Sequence, residues 1–139
     1  MTSGSCLCGE VAFELTDDPD RAHNCYCKRR RKISGAAFAP NLFVPLEGFG
    51  YTRGEDLLQS FKLPQADRFT HVFCQNCGSS LPFVSETRGL AVIPMGSLDS
   101  DPGVTPQQHI FVGSKASWVE ICDELPQHEL HYQNANEGS

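Results

Sequence analysis

No apolar run in the 139 residues reaches the roughly 18 to 20 that a membrane-spanning helix needs, so no membrane partner is expected. Positive charge is also short. Eleven lysines and arginines face 17 aspartates and glutamates, for a net charge of −6 with histidine neutral. An acidic chain of this kind is a poor match for nucleic acid or an anionic lipid surface. The opening MTSGSCLCGE has neither a charged n-region nor an apolar h-region. No secretory leader is therefore expected, and the expected setting is the reducing cytoplasm. Helix signals are scarce too. Nine prolines and twelve glycines cut the chain into short intervals, several of which alternate as strands do.

Cysteine, by contrast, is plentiful. Seven are present, and six fall into close pairs: Cys6/Cys8, Cys25/Cys27 and Cys74/Cys77. Only Cys122 stands alone, near the end of the strand-like SWVEI, where a buried inert thiol is expected. In a reducing compartment such clustering points to metal binding or redox work before disulfides. The strongest local signal is FCQNCGSS. Cys74 and Cys77, with two residues between them, lie at a turn, followed by Gly78, between the strand-like FTHVF and SLPFV. A thioredoxin-like redox pair would open a helix, whereas Gly-Ser-Ser-Leu-Pro makes a poor one; a zinc knuckle fits better. A structural zinc needs four ligands. Spacing alone does not choose between Cys6/Cys8 and Cys25/Cys27 for the second pair. The Cys6-Leu7-Cys8-Gly9 turn shares the trailing glycine of Cys77-Gly78, and on that turn chemistry these two pairs are joined as one four-thiolate site.

The remaining intervals complete a strand-rich reading. EVAFEL sets Val11, Phe13 and Leu15 on one face. AFAPNLFV carries Pro40, which suggests an edge strand or bend. FGYTRGEDLLQSFKL reads as two strands around Arg53-Gly54, and GLAVIPM, QHIFV and SWVEI follow. Helix is expected only briefly after Cys27 and as a turn near Asp99 to Gly103. The expected class is one small, mainly β domain with long loops over residues 1–127. A polar, loosely ordered tail over 128–139 is expected to carry His128 and His131 as solvated residues.

GSCLCGEVAFEL, CYC followed by RKISGAAF, FCQNCGSSL and HIFVGSKASWVEI together resemble the glutathione-dependent formaldehyde-activating enzyme family, to which centromere protein V also belongs. The resemblance spans about residues 4 to 126. It implies a Mss-four-like, zinc-stabilised fold and carbon–sulfur lyase or S-(hydroxymethyl)glutathione synthase activity on glutathione and formaldehyde. It also implies a structural zinc on Cys6, Cys8, Cys74 and Cys77. A second, catalytic zinc would draw its ligands from a CxCxxC run. Here that run holds Cys25 and Cys27, the implied catalytic pair, but places Arg30 third. Arginine stays protonated and cannot ligate a metal.

Three readings of this second site follow. A substitute ligand could complete a zinc on Cys25 and Cys27, with His23, His71, His109 and Cys122 as candidates. Alternatively, the two thiols could work beside the positive charge without a permanent metal. Or the site is degenerate, leaving a single-zinc protein that binds a thiol or small anion. Lys28 to Lys32 form five consecutive basic residues, and without them the chain would stand at −11. That contrast makes Arg30, Arg31 and Lys32 candidates for guiding an anionic ligand such as glutathione.

Overall fold

The computed structural model describes residues 1–19, 21–66 and 69–131. Its strands are β1 (Thr2–Ser5), β2 (Ala12–Leu15), β3 (Arg21–Cys25), β4 (Ala39–Pro45), β5 (Phe49–Arg53), β6 (Leu58–Lys62), β7 (Thr70–Cys74), β8 (Ser80–Leu81), β9 (Phe83–Ser85), β10 (Leu90–Pro94) and β11 (His109–Ile110). One α-helix, α1, covers Lys28–Ser34, and single 3-10 turns lie at Leu46–Gly48, Glu55–Leu57, Met95–Ser97 and Val112–Ser114. The mainly β expectation holds, as does the short helix after Cys27. No helix among the described residues is long and apolar enough to cross a membrane.

The strands form three sheets, ordered β1-β2-β5, β11-β3-β4-β10-β9 and β6-β7-β8. In the five-stranded sheet β3, β4 and β10 are buried on both faces, so their sequences lose strict alternation. Ala22, Leu42, Val44, Ala91 and Ile93 point to one side. There they join Val11, Phe13, Leu15 and Leu81 in the main core, with Cys6 and Cys74 at its margin. Phe13 packs against the rings of Phe49 and Tyr51 at 5.8 and 6.2 Å. The opposite face of the same sheet carries His23 and Cys25 on β3, Asn41 and Phe43 on β4, and Val92 on β10; the register pairs His23 with Asn41, Cys25 with Ala39 and Val92 with Phe43.

Three expectations fail. Pro40 lies in a central strand, not an edge. It is tolerated because it stands at the start of β4, beyond the Asn41–Pro45 stretch that pairs with β10. SWVEI makes no strand: the Val119 N–H turns back to the Ala116 carbonyl at 3.1 Å. Residues near Asp99 to Gly103 form bends, not a helical turn. The chain beyond Leu125 is also more engaged than expected. The Phe111, Val112 and Gly113 amides donate to Leu130, His128 and Glu129, and the His128 amide donates back to His109. His128 Nε2 meets Gln108 Oε1 at 2.8 Å. His131 lies edge-on to His23 and Phe111. Residues 132–139 fall outside the described part.

Gly54 ends β5 in the left-handed region at φ +75°, and a Cβ there would overlap the Glu10 carbonyl oxygen. The neighbouring Arg53 Nε donates to the Gly9 carbonyl at 3.0 Å, so this corner braces the Cys6–Gly9 turn. Gly54→Ala is expected to cost about 2–4 kcal/mol of stability, read as a lower urea midpoint at unchanged m-value.

Candidate metal centre and ligand cavity

Two turns of similar build meet at the edge of the core. Cys6 follows β1, and its turn closes through the Gly9 amide on the Cys6 carbonyl and the Cys6 amide on the Val11 carbonyl, each at 3.0 Å. Cys74 ends β7, and the Gly78 amide closes its turn on the Cys74 carbonyl at 2.8 Å. Gly9 and Gly78 both adopt positive φ, 80° and 79°. That turns backbone N–H groups toward sulfur: Val11 donates to Cys6 Sγ at 3.3 Å and Asn76 to Cys74 Sγ at 3.4 Å. The Leu7 amide donates to Ser79 Oγ at 2.9 Å, stitching one turn to the other. Hydrogen bonds from the Ser79 hydroxyl and amide pull the Cys77 thiol down to about 5.

The four Sγ atoms of Cys6, Cys8, Cys74 and Cys77 lie within 4.8 Å of one another. Tetrahedral Zn–S bonds of about 2.3 Å place sulfurs roughly 3.8 Å apart. The Cys6–Cys8 and Cys8–Cys74 separations are 3.6 and 3.9 Å, so the cage has the size for zinc, and an all-thiolate donor set suits it.

The third cysteine pair has a different setting. Cys25 ends β3 and is fully buried; Cys27 is half-buried and caps α1, its Sγ accepting the Arg30 N–H at 3.4 Å. Gly35 closes the helix in the left-handed conformation, its N–H on the Arg31 carbonyl. The neighbouring Cys25 thiol holds Cys27 down to about 6, helped by the Arg30 amide and guanidinium against burial. The Cys27 thiol and burial push Cys25 up. The Arg30 guanidinium lies over the Phe69 ring, 4.9 Å from its centroid. Burial lowers its pKa, while Cys25 and Cys27 work in the opposite direction.

A cavity of about 630 Å³ opens over the second face of the five-stranded sheet. Arg30 and Ile33 of α1, Asn41 of β4, His71 of β7 and Phe83 of β9 line it, and its rim reaches Cys6 and Asp99. Burial, and then the charge of Arg30, push the His71 imidazole down, so this wall presents a neutral ring beside one cation.

The family described as Glutathione-dependent formaldehyde-activating enzyme matches residues 1–114. The chain belongs to that family. No curated protein sequence matches it. Among solved structures it is similar to a Rhodobacter sphaeroides protein, with a TM-score of 0.56 and 21% sequence identity over 90% of this chain and 98% of that one. That likeness bears on the fold.

Within this family member, the four cysteines joined from turn chemistry do converge. The second site is not completed in the same way. Among the described residues no third His, Cys, Asp or Glu joins Cys25 and Cys27 in a group able to hold a metal. Each substitute candidate is engaged elsewhere. His23 is buried against Phe43 at 4.7 Å and driven down to about 3 by burial and the neighbouring His131, Arg21 and Arg30. His71 stacks on Phe73. Cys122, expected to be buried, is exposed, because the segment that carries it turns over the surface instead of entering a sheet. Of the three basic candidates, Arg30 alone lines the cavity; Arg31 donates to the Ser114 carbonyl at 3.1 Å and Lys32 is exposed. Cys25 and Cys27 adjoin Arg30 without themselves lining the cavity.

Sequence reasoning missed a relay centred on a buried histidine. His109 Nε2 lies 2.9 and 3.1 Å from the Asp123 carboxylate oxygens, and its Nδ1 lies 2.9 Å from the Tyr26 hydroxyl. A carboxylate only accepts, so Nε2 carries the proton and Tyr26 donates to Nδ1. Burial, then the charge of Asp123, raise the Tyr26 phenol to about 12. Tyr26 stands between Cys25 and Cys27, so this chain of bonds anchors the thiol segment to β11 and to the segment that follows it. Tyr26→Phe leaves Nδ1 buried without a donor and is expected to cost about 1–3 kcal/mol, measurable by chemical denaturation.

Proposed function

We propose that this family member holds zinc on Cys6, Cys8, Cys74 and Cys77 and acts on the carbon–sulfur bond of a small thiol adduct, made from glutathione and formaldehyde or from a related thiol and aldehyde. One observation carries the proposal: Arg30 belongs to both the thiol pair and the cavity. Its N–H caps Cys27 Sγ and its side chain forms part of the cavity wall. A thiol and an aldehyde held there lose the entropic cost of meeting in solution, and the guanidinium stabilises negative charge developing on sulfur or oxygen. The residues around Cys25 and Cys27 do not fit a second zinc, so no step is assigned to one. In the synthetic direction the thiolate sulfur attacks the carbonyl carbon, the C=O π pair moves to oxygen, and that oxygen takes up a proton.

The direct test is NMR detection of S-(hydroxymethyl)glutathione formation. Magnetisation exchange between free and adduct signals should be accelerated by the protein and lose at least tenfold of that acceleration in Cys27→Ala. Exchange no faster than the buffer rate rejects the activity. A second reading, binding of a thiol or small anion without turnover, is favoured by Arg30 at the third-ligand position. It predicts saturable glutathione binding with no acceleration.

A further inference from the structure

Two lining residues carry polar atoms with nothing to bind. Asn41 is only 2% exposed, and its Nδ2 has no hydrogen-bond partner; Arg30 Nε is likewise buried without one. Among the described residues no carboxylate lies within ion-pair distance of Arg30. Buried donors in folded proteins are nearly always satisfied, and each exception needs an explanation. The neighbouring Cys27 thiol is the acidic group beside this guanidinium, but no carboxylate pairs with it, whereas charges held out of water are usually paired and hydrogen-bonded. Both residues belong to the same cavity wall. Asn41 lies on the cavity face of β4, paired with His23 on one side and Pro94 on the other.

We propose that Arg30 and Asn41 form a carboxylate-binding pair in this cavity, so that its ligand is a small molecule with a free carboxylate. The inference rests on the reading of the cavity as a ligand site and names the chemistry of the ligand. A guanidinium offers two parallel N–H donors matched to a planar carboxylate, and the Asn41 amide adds a third from the sheet. One positive charge and one neutral amide suit a monoanion. A phosphate dianion would leave a charge uncompensated away from water. The one acid on the rim, Asp99, is engaged with the Ser5 hydroxyl at 2.6 Å. Ile33, Phe38, Leu81 and Val92 supply apolar wall for the body of the ligand.

Isothermal titration of the full zinc-replete chain tests the pair, with glutathione, its diethyl ester, 3-mercaptopropionate, succinate and inorganic phosphate as probes. Free carboxylates are expected to bind at least tenfold more tightly than the diester or phosphate. Arg30→Gln is expected to weaken carboxylate binding at least thirtyfold. Asn41→Asp, close to the native side chain in volume, is expected to weaken it about tenfold by placing a like charge beside the ligand. Thermal melting and zinc content confirm that each variant is folded. Equal affinity for acid and ester, tighter binding of phosphate, unchanged binding in Arg30→Gln, or no carboxylate binding at all would each overturn the pair. Adduct formation that proceeds with unaltered glutathione binding in Arg30→Gln leaves the proposed activity standing and removes the pair. Arg30-dependent binding of succinate without thiol turnover does the opposite.

Discussion

Cys74→Ser is expected to abolish zinc binding at the proposed four-thiolate centre and to lower stability by more than about 4 kcal/mol, within the range seen when a protein loses a metal. The topology explains the size of the effect. Cys6 and Cys8 follow the first strand of the β1-β2-β5 sheet, while Cys74 ends β7 and Cys77 lies in the turn before β8 of the β6-β7-β8 sheet, and among the described residues the two sheets share no strand pairing. A metal held by the four thiols would add a strong tie between them to the Leu7–Ser79 hydrogen bond, at a place where Cys6 and Cys74 share the core with Val11 and Leu81. Metal affinity of a site absent from the unfolded chain is folding free energy, and a total stability of about 5–15 kcal/mol leaves little reserve. Zinc analysis after gel filtration should fall by one equivalent. Thermal unfolding should lose cooperativity or shift by tens of degrees, and a chelator should produce the same change in the parent. Cys122→Ser, at an exposed thiol, should alter neither zinc content nor melting. A Cys74→Ser protein that kept its zinc and its transition would remove the four-thiolate centre from this account.

What could be read from the chain alone follows the range of the forces involved. The Cys74 turn is built from near neighbours, with its strands on either side and Gly78 at positive φ, so its hairpin was visible in FCQNCGSS. The shared turn chemistry of Cys8-Gly9 and Cys77-Gly78 brought the right four thiols together although 66 residues separate Cys8 from Cys74. Val11, Phe13 and Leu15 declared a buried face by alternation. Pro40 was misplaced because edge or centre depends on which strands arrive later, and β10 pairs only beyond it. The expectation for SWVEI failed because Ala116 to Val119 closes a local turn that hydropathy does not register. Neither the Tyr26–His109–Asp123 relay nor the cavity could be seen in advance, since both depend on side chains gathered from distant segments. Asn41 carries no motif at all; its significance comes from burial without a partner. Arg30 was legible as an anomaly by resemblance, and the structure supplied what it faces.

Arg30→Cys is expected to raise zinc from about one equivalent per chain to about two. Cys27 occupies the N-cap of α1 and residue 30 the third helical position, the relation in which an N-cap side chain and the N3 side chain reach toward each other. A thiol at 30 therefore faces Cys27 with the spacing common to zinc cysteines, and Cys25 stands one residue before Tyr26 and two before Cys27, at the end of β3. Three protein ligands with an open fourth position are the usual arrangement of a catalytic zinc. Arg30 blocks this twice over: it supplies no lone pair, and its fixed positive charge stands beside the two thiols a cation would need. The substitution removes both obstacles. Cobalt loading gives an independent readout, since a second thiolate-to-metal charge-transfer band should appear and should vanish when Cys25→Ser is added. The same change deletes the cationic half of the carboxylate pair, so succinate affinity should fall while metal content rises, two opposite responses from one side chain. A parent protein that already binds two zincs would mean that Cys25 and Cys27 acquire a ligand from elsewhere. A variant that stays at one would mean that the local backbone, and not the arginine, keeps the second metal out.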